Sequence, residues 1–353
     1  MASKNLSLLA SQGWLSLPQW REVLEEQDHK QAQELAYQTL RTHVGTGIFY
    51  RGIVECTNHC IQGCRYCGIS ANNTELSRYR LDLDTILAVC QEGYQAGIRT
   101  FVLQGGEDPA ITDAWLTNLI KELRTRFPNN AITLSFGERS RASYQALFDA
   151  GASRYLLRHE TASPLLYEHL HRPRQRFWHR ISCLYALKDI GFQTGCGMMI
   201  GVPGQTLDDI AQDMAFIQDF KPHMLGIGPF IPNTHTDLKD APAGDFTLTL
   251  FVMSLCRILF PRILMPATTA LRTLLPNGLS QGVLHGCNVV MPSLTPKKEK
   301  AKYLLYDKKI QPQESISQTM ADFASELASI GHTLTVARGD APENAPDDTT
   351  RQP

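Results

Sequence analysis

The 353-residue sequence lacks three features: a long unbroken apolar run, an excess of charge of one sign, and any cysteine beyond position 287. The apolar runs that occur are interrupted by polar residues or are too short to cross a bilayer, and the opening residues lack the pattern of a signal peptide. The 34 Lys and Arg residues are balanced by 35 Asp and Glu residues, so no basic field for nucleic acid is present. We therefore expect a cytosolic protein that binds neither a membrane nor nucleic acid.

The cysteines number nine, an odd count, and are unevenly spread. This distribution argues against a secreted disulfide framework and favours reduced thiols, some of which bind a metal. Four of them, Cys56, Cys60, Cys64 and Cys67, fall within twelve positions. Thiolates are soft ligands, so zinc and iron–sulfur clusters are the candidates. Four ligands would close the site, whereas three thiolates on a cubane cluster would leave one iron free to bind another molecule.

Eight short apolar runs rich in β-branched residues alternate with segments of helical periodicity. Their starts lie about 25 to 50 residues apart, which is the spacing of a strand, a crossover helix and two loops. The runs occupy residues 52–58, 100–107, 131–138, 154–161, 194–201, 224–232, 263–270 and 287–294. This pattern predicts an α/β fold, a complete (β/α)8 barrel of the TIM type with reactive groups at the carboxyl ends of the strands. A doubly wound open sheet is the alternative.

The domain boundaries are predicted from the positions of these runs. We expect N-terminal helical cover over residues 1–45, the barrel over 46–310, a C-terminal helical segment over 311–336 and a disordered tail over 337–353. The tail is rich in Pro and Asp and has few residues to bury.

The predicted strands separate the four clustered cysteines. Cys56 falls inside the first strand, where a free cysteine is commonly a small buried residue. Cys60, Cys64 and Cys67 follow on the loop above the carboxyl end of that strand. We therefore predict that Cys56 is a core residue. The remaining pattern, CxxxCxxC with Tyr66 before the last cysteine, resembles the signature of radical S-adenosylmethionine enzymes.

That resemblance implies one 4Fe–4S cluster held by three thiolates. It also implies that S-adenosylmethionine chelates the fourth iron, and that one electron cleaves its sulfonium to a 5′-deoxyadenosyl radical. The electron must come from outside, because the sequence has no flavin-binding motif, and a low-potential ferredoxin or flavodoxin is the expected donor. An exposed iron reacts with oxygen, so an anaerobic or microoxic cytoplasm is expected.

Two predicted strands end in charged groups suited to a ligand. Gly105-Gly106-Glu107 resembles the GGE motif that holds the amino group of the cofactor, although a glycine turn before a helix would look the same. Glu160 is suited to ribose hydroxyls and Arg158 to a carboxylate, unless the two form an ion pair that faces solvent.

A closer resemblance extends over most of the chain. From about residue 45 to 306, runs such as VLQGGEDP, RYLLRHETASPLLYEHLH, GMMIGVPGQTLDDI and LGIGPFIPNTHTDL resemble the HydE family of FeFe-hydrogenase maturases. This family is close to biotin synthase and methylornithine synthase. The resemblance implies a barrel with an internal cavity and a role, with other hydrogenase maturases, in assembling the di-iron dithiolate subcluster of the H-cluster. The implied substrate is a small organometallic or cysteine-derived species.

The resemblance also assigns site residues by position. The catalytic cluster falls to Cys60, Cys64 and Cys67. Cofactor contacts fall to Tyr66, Gly106, Glu107, Ser135, Glu160, Arg180 and Tyr303. Substrate or anion contacts fall to Thr133, Arg158, Thr268 and Thr269, although the last two are also ordinary strand residues.

The sequence departs from the family pattern in two places. Some relatives carry a second iron–sulfur cluster on cysteines near the C-terminus, but no cysteine follows Tyr306 here, so no second cluster is expected there. Gly105 stands where relatives carry a serine, so a hydroxyl contact to a bound anion is lost at that point.

Other functions stay open. The same scaffold carries the mutase chemistry of methylornithine synthase and the sulfur insertion of biotin synthase. A protein of another class, a non-catalytic metal or electron-transfer protein, would use all four clustered cysteines. It would therefore depend on Cys56 as strongly as on Cys60.

Overall fold

The structure is a computed structural model of the chain, and it describes residues 3–308 and 315–341. Within these residues the strands are β1 (Gly47–Tyr50), β2 (Gly52–Thr57), β3 (Thr100–Gly105), β4 (Ala131–Ser135), β5 (Arg154–Leu156), β6 (Gln193–Cys196), β7 (Met199–Ile200), β8 (Met224–Leu225), β9 (Gly228–Pro229), β10 (Val289–Val290) and β11 (Thr333–Thr335). The helices are α1 (Lys4–Gln12), α2 (Leu17–Glu26), α3 (His29–His43), α4 (Leu83–Gln95), α5 (Asp113–Arg126), α6 (Arg141–Asp149), α7 (Pro164–Leu170), α8 (Phe177–Ile190), α9 (Leu207–Phe220), α10 (Phe246–Leu259), α11 (Thr269–Leu274), α12 (Gly278–Leu284), α13 (Lys297–Lys300) and α14 (Ile316–Ala328).

The three N-terminal helices pack against other helices of the chain. Helix α2 contacts α9, and α3 contacts α10. Ser3 and Asp28 begin α1 and α3, where their side chains accept hydrogen bonds from the backbone N–H groups of Leu6 and Gln31. The start of each helix is therefore set by a capping side chain and its position by apolar packing.

A parallel sheet forms the centre of the molecule. Its six strands run in the order β2-β3-β4-β5-β6-β8, and every neighbouring pair is parallel. Three single parallel bridges continue the ladder from β8 back to β2: Met224–Leu264, Pro266–Val289 and Ile53–Ser293. The prediction of an α/β fold with parallel strands and crossover helices is confirmed, and each of the eight predicted runs contains strand pairing.

Local sequence explains why the crossover segments are helical. Helix α4 starts after Asp82, whose side chain accepts a hydrogen bond from the N–H of Thr85. Its apolar side chains recur at helical spacing, so Ile86, Leu87 and Cys90 are buried. None of the helices in the described ranges is both long and apolar enough to cross a membrane.

The last described residues, 337–341, lie at the amino ends of the strands, within the segment predicted to be a disordered tail. Asp340 lies 2.6 Å from the guanidinium of Arg154, and the carbonyl of Gly339 accepts a hydrogen bond of 3.0 Å from Arg51. Ala341 is buried, and its N–H donates to the side chain of Gln193. Residues 337–341 are therefore held in place, because charged and backbone groups hold a segment that has few apolar side chains. Residues 342–353 of the predicted tail lie outside the described residues.

Candidate active site at the carboxyl ends of the strands

A cavity of about 340 Å³ lies at the carboxyl ends of the parallel strands. Twelve of the fourteen predicted site residues line it: Cys60, Cys64, Tyr66, Cys67, Gly106, Glu107, Ser135, Arg158, Glu160, Arg180, Thr268 and Tyr303. They come from segments far apart in the sequence, and they meet because the carboxyl ends of parallel strands lie at one end of the sheet.

The loop that carries the three cysteines is held by an arginine that the sequence reasoning missed. The guanidinium of Arg78 donates to four backbone carbonyls, those of Asn58, Ile69, Ser70 and Asn73, at 2.5 to 2.9 Å. The loop leaves the end of β2 at Asn58 and is closed on itself by these bonds. No motif in the sequence marks Arg78, because its partners are backbone groups.

Cys56 and the three loop cysteines differ in their surroundings. Cys56 is fully buried in the hydrophobic core, and its thiol contacts the carbonyl of Val54 at 3.5 Å. Cys60, Cys64 and Cys67 are partly exposed and line the cavity. The predicted first strand placed Cys56 apart from the other three cysteines. The structure does the same, with Cys56 in the core and the other three at the cavity.

Burial opposes ionisation of the three loop thiols. It raises the pKa of Cys60, raises the pKa of Cys64 to about 12, and raises the pKa of Cys67 well above its ordinary value. The nearby thiols of Cys64 and Cys60 raise the pKa of Cys67 further. Such thiols ionise only beside a positive charge, and a bound metal supplies one.

The donor set fits a group larger than a single ion. In the parts of the chain that the structure describes, no three His, Cys, Asp or Glu side chains are arranged to hold one metal ion. The thiolates of an iron–sulfur cluster instead bind separate iron atoms. Cys60, Cys64 and Cys67 share one wall of the cavity, so they fit such a cluster.

The end of β3 touches the cysteine loop closely. A Cβ atom on Gly106 would clash with the carbonyl oxygen of His59 and with the Cβ of Cys60, so only glycine permits this approach. The carboxylate of Glu107 accepts hydrogen bonds from the N–H of Glu138 at 3.1 Å and from the side chain of Gln62 at 2.5 Å. Gln62, between the first two cluster cysteines, is a second residue that sequence reasoning missed.

Gly105 is confined in a different way. A Cβ atom there would lie 2.7 Å from Thr57 Cγ2 and 3.1 Å from the ring of Phe136. A serine at this position would require Thr57 and Phe136 to shift. The side chains around Gly105 therefore fit the glycine found here and not the serine of the family pattern.

The end of β5 holds a charged pair that faces the cavity. A guanidinium nitrogen of Arg158 lies 3.2 Å from Glu160 Oε2 and donates to the carbonyl of Met198 at 2.7 Å. The contact with Glu160 lacks hydrogen-bond geometry, so this buried oxygen has no hydrogen-bond partner among the described residues. Glu160 also has φ of 67°, a left-handed backbone that is costly for a non-glycine residue and common at binding sites. The ion pair considered from sequence thus exists, but it borders the cavity.

Arg180 ties these strand ends together from the start of α8. Its Nε donates to Glu138 at 2.5 Å, and its Nη1 donates to the carbonyl of Arg158 at 2.7 Å. The remaining nitrogen lies 3.9 Å from Glu107. On the opposite side of the cavity, the buried Tyr303 accepts a hydrogen bond of 3.1 Å from Gln104 at the end of β3.

Tyr66 is fixed by a histidine that was not predicted. Its hydroxyl lies 3.2 Å from Nε2 of His171, and Nδ1 of that ring lies 2.8 Å from the carbonyl of Tyr167. The rings of Tyr167 and His171 are stacked with centroids 3.9 Å apart. Burial lowers the pKa of His171 to about 3, so the ring is neutral. With Nδ1 donating to the carbonyl, Nε2 accepts from the hydroxyl of Tyr66.

Thr133 and Thr269 do not line the cavity. Thr133 lies two residues before Ser135 on β4, so its side chain is on the same face but nearer the amino end of the strand. There it lines a separate small cavity of about 10 Å³ that Arg51 and Arg154 also line. Its hydroxyl has no hydrogen-bond partner among the described residues. Thr269 is the first residue of α11, and the adjacent Thr268 caps that helix.

The sequence is similar to that of several known proteins. Residues 54–217 match the Radical SAM superfamily. The chain is 43% identical over 277 residues to the FeFe-hydrogenase maturase subunit HydE of Thermotoga maritima, a match that covers 78% of this chain and 79% of that protein. It is 24% identical over 300 residues to 3-methylornithine synthase of Methanosarcina acetivorans, covering 83% and 84%.

Solved structures show the same fold at lower identity. Methylornithine synthase superimposes with a TM-score of 0.79 at 20% identity, covering 94% of this chain and 97% of that one. The FeFe-hydrogenase maturase HydG from Carboxydothermus hydrogenoformans superimposes with a TM-score of 0.76 at 18% identity, covering 95% and 80%.

Proposed function

Because the chain belongs to the HydE family of FeFe-hydrogenase maturases, within the radical S-adenosylmethionine superfamily, we propose that it cleaves S-adenosylmethionine reductively during assembly of the di-iron dithiolate subcluster of the H-cluster. The observation that carries the proposal is the separation of the clustered cysteines. Three thiols line one cavity beside the Glu107 carboxylate, while Cys56 is buried in the core.

Membership of this superfamily implies a 4Fe–4S cluster and S-adenosylmethionine. We propose that Cys60, Cys64 and Cys67 hold the cluster and leave one iron for the cofactor. When bound, the two groups would supply one-electron cleavage of the sulfonium to a 5′-deoxyadenosyl radical. The chain has no cysteine after Cys287, so a second cluster at the C-terminus is not part of the proposal.

The walls of the cavity offer a contact for each polar part of S-adenosylmethionine. Glu107 would accept hydrogen bonds from the ammonium group, since its carboxylate is already held in place by Gln62. The unpartnered oxygen of Glu160 suits the ribose hydroxyls. Gly106, against which the cysteine loop packs, would offer its backbone to the cofactor. Ser135, Tyr66, Arg180 and Tyr303 complete the predicted cofactor contacts.

The substrate contacts are proposed for the same cavity. Arg158 and Thr268 line it and would bind an anionic group of a small organometallic or cysteine-derived substrate. Thr133 would contact only a small anion, since its cavity is about 10 Å³. Thr269 would act from the first turn of α11, next to Thr268.

The proposal also includes the complete barrel fold, the cellular environment and the partner proteins. The bridges from β8 back to β2 support a complete (β/α)8 barrel over residues 46–310. All nine cysteines lie in the described residues and none forms a disulfide, which supports an anaerobic or microoxic cytoplasm. A ferredoxin or flavodoxin would donate the electron, and other hydrogenase maturases would be partners.

An anaerobic assay tests the function. The purified chain, loaded with iron and sulfide, is mixed with dithionite and S-adenosylmethionine, and 5′-deoxyadenosine is measured. In parallel, activation of FeFe hydrogenase by the other maturases is measured with this chain, without it, and with Cys60→Ala. Deoxyadenosine formation and activation that requires the intact chain would support the proposal.

Other outcomes would contradict it. Activation that is undiminished without the chain would remove the maturase assignment. Conversion of lysine to methylornithine would assign the chain to the mutase alternative.

A further inference from the structure

The loop that holds the three site cysteines is covered on one side by an unusually basic stretch. Residues 169–180 contain four arginines and three histidines and no acidic residue. This basic segment begins at the end of α7 and continues into the first turn of α8. None of its residues had a predicted role except Arg180.

Three contacts dock the basic segment onto the cysteine loop. The N–H of Arg65 donates to the carbonyl of Leu170 at 3.0 Å, and the thiol of Cys64 donates to the side chain of Gln175 at 3.4 Å. A Cβ atom on Gly63 would lie 2.8 Å from Cγ of Arg172, so the arginine stem is packed against the loop. The segment therefore forms a layer on the outside of the cysteine loop beside Cys64.

The outer side of this layer is charged and also exposes large apolar groups. Arg65 and Arg172 share Asp237, at 3.7 and 2.7 Å. Arg174 and Arg176 are exposed and have no ion-pair partner among the described residues. Trp178 is 70% exposed and Leu165, at the start of α7, is 82% exposed. Arginine and tryptophan around an apolar patch are the residues that most often dominate protein interfaces.

We propose that the basic segment, with Leu165 and Trp178, is the docking surface for a small acidic protein that carries one electron. The inference rests on the proposed function, which consumes one electron that this chain does not store. The carrier is oxidised by one electron, and that electron cleaves one carbon–sulfur bond of S-adenosylmethionine into methionine and a 5′-deoxyadenosyl radical. Docking here brings the carrier to the side chain of Gln175, which touches a cluster cysteine.

Charge complementarity decides the kind of partner. Arg174 and Arg176 attract an acidic surface over the Debye length, which steers association and makes its rate depend on ionic strength. The exposed apolar groups then supply the contact area once the two proteins meet. A reduced 2Fe–2S ferredoxin is a suitable probe of this class.

The test compares two reductants on one enzyme. Formation of 5′-deoxyadenosine is followed with reduced ferredoxin and with dithionite, each at low and high ionic strength, in the wild type and in Arg174→Glu/Arg176→Glu. The matched control is Lys30→Glu/Lys121→Glu, which makes the same charge change at exposed lysines on α3 and α5. The neutral variant Arg174→Gln/Arg176→Gln removes the two charges without reversing them. Circular dichroism of each variant checks that it is folded.

The proposal predicts a loss with one reductant only. At low ionic strength the ferredoxin-supported rate of the charge-reversed variant falls about tenfold or more, since rim charges set association rates. The neutral variant falls less, the lysine control is unchanged, and added salt slows the wild type toward the variant. The dithionite-supported rate is the same in all four proteins.

Three results would overturn the proposal. A ferredoxin-supported rate that is equal in the wild type and the charge-reversed variant would do so. So would a variant that keeps this rate but fails in hydrogenase activation, because the surface would then bind another maturase. Absence of deoxyadenosine with dithionite in the wild type would instead refute the proposed function itself, and the inference with it.

Discussion

At the amino ends of the strands, Arg51 donates to the carbonyl of Gly339 and Arg154 pairs with Asp340, whereas at the carboxyl ends Arg158 and Glu160 border a cavity of about 340 Å³. The cavity between Arg51 and Arg154 is only about 10 Å³. Both ends of the parallel strands therefore contain buried charged groups. Arg158 and Glu160 thus border a cavity with room for a molecule of the size of a cofactor, whereas the space between Arg51 and Arg154 has none.

The two groups of charged side chains differ in the size of the cavity beside them. We call Arg51, Arg154 and Asp340 the floor cluster. Burial disfavours ionisation of Asp340, but Arg154 outweighs burial and lowers the pKa of that carboxyl. At the other end, one oxygen of Glu160 has no hydrogen-bond partner among the described residues. Both ends contain ion pairs, and what distinguishes them is the cavity, because charged groups that border a cavity are suited to a ligand.

The largest expected effect comes from breaking the floor cluster. Asp340→Asn removes the charge beside Arg154, whose side chain is 3% exposed, and leaves a buried cation without its partner. We expect a loss of about 3 kcal/mol in the free energy of unfolding, which is typical of a broken buried pair. Urea unfolding followed by circular dichroism measures it.

The matched control is Asp322→Asn, at an exposed position on α14. It should leave the unfolding midpoint unchanged. Affinity for S-adenosylmethionine should be the same in both variants and in the wild type. An Asp340→Asn protein of wild-type stability would show that the floor cluster does not hold the C-terminal segment.

The next effect comes from the opposite end and should appear in binding. Glu160→Gln keeps the shape of the side chain but removes the charge that would bind ribose hydroxyls. We expect the Kd for S-adenosylmethionine to rise about 10- to 100-fold, since hydrogen bonds to charged groups contribute about 1.5–3 kcal/mol. Isothermal titration of the iron-loaded protein measures this, with Glu34→Gln on the exposed side of α3 as control. Unchanged affinity would mean that Glu160 serves only its ion pair with Arg158.

The third effect, the smallest per pH unit, is the pH dependence of stability, and it separates the two ends again. His171 has a pKa of about 3 in the folded chain, below its ordinary value of 6.5, because it is buried. The unfolded chain therefore binds a proton first as the pH falls, so stability is lost between pH 6.5 and 3 by up to about 1.4 kcal/mol per pH unit. Asp340 has a lowered pKa, so its contribution is lost only at lower pH, as the pH falls through its folded pKa.

His171→Phe keeps a ring on Tyr167 and removes the titrating group. The slope of unfolding free energy against pH, between pH 6 and 4, should become shallower by up to about 1.4 kcal/mol per unit. His169→Gln, at an exposed position of the same segment, controls for the removal of a histidine as such. An unchanged slope in His171→Phe would contradict the neutral, buried state of this ring.

Much of the fold follows from the sequence, for a physical reason. Buried parallel strands need near-continuous apolar runs, so the eight runs marked the strands, including the short pairing at Leu264. The candidate site followed as well, because residues such as Glu107 and Glu160 directly follow strands whose carboxyl ends lie together. The position of Cys56 within a strand separated it from the cluster thiols.

Other features could not be predicted, because they depend on contacts with backbone groups or over long sequence separations. Arg78 binds carbonyl oxygens, which every residue carries, so no pattern of side chains marks it. His171 and Tyr66 are 105 residues apart in the sequence and meet only in the fold. The segment around Asp340 looked disordered by composition, since the groups that hold it, Arg51 and Arg154, lie almost two hundred or more residues earlier.

The measurement that tests the account most directly is the iron content of Cys56→Ala beside Cys60→Ala. Both proteins are prepared without oxygen and loaded with iron and sulfide, and iron, sulfide and the visible and electron paramagnetic resonance spectra are recorded with and without S-adenosylmethionine. For Cys56→Ala we expect about four irons and a spectrum that responds to S-adenosylmethionine. For Cys60→Ala we expect loss of the iron and of this spectral response. Equal loss in the two variants would contradict it, because all four cysteines would then hold the metal and none of its sites would be open.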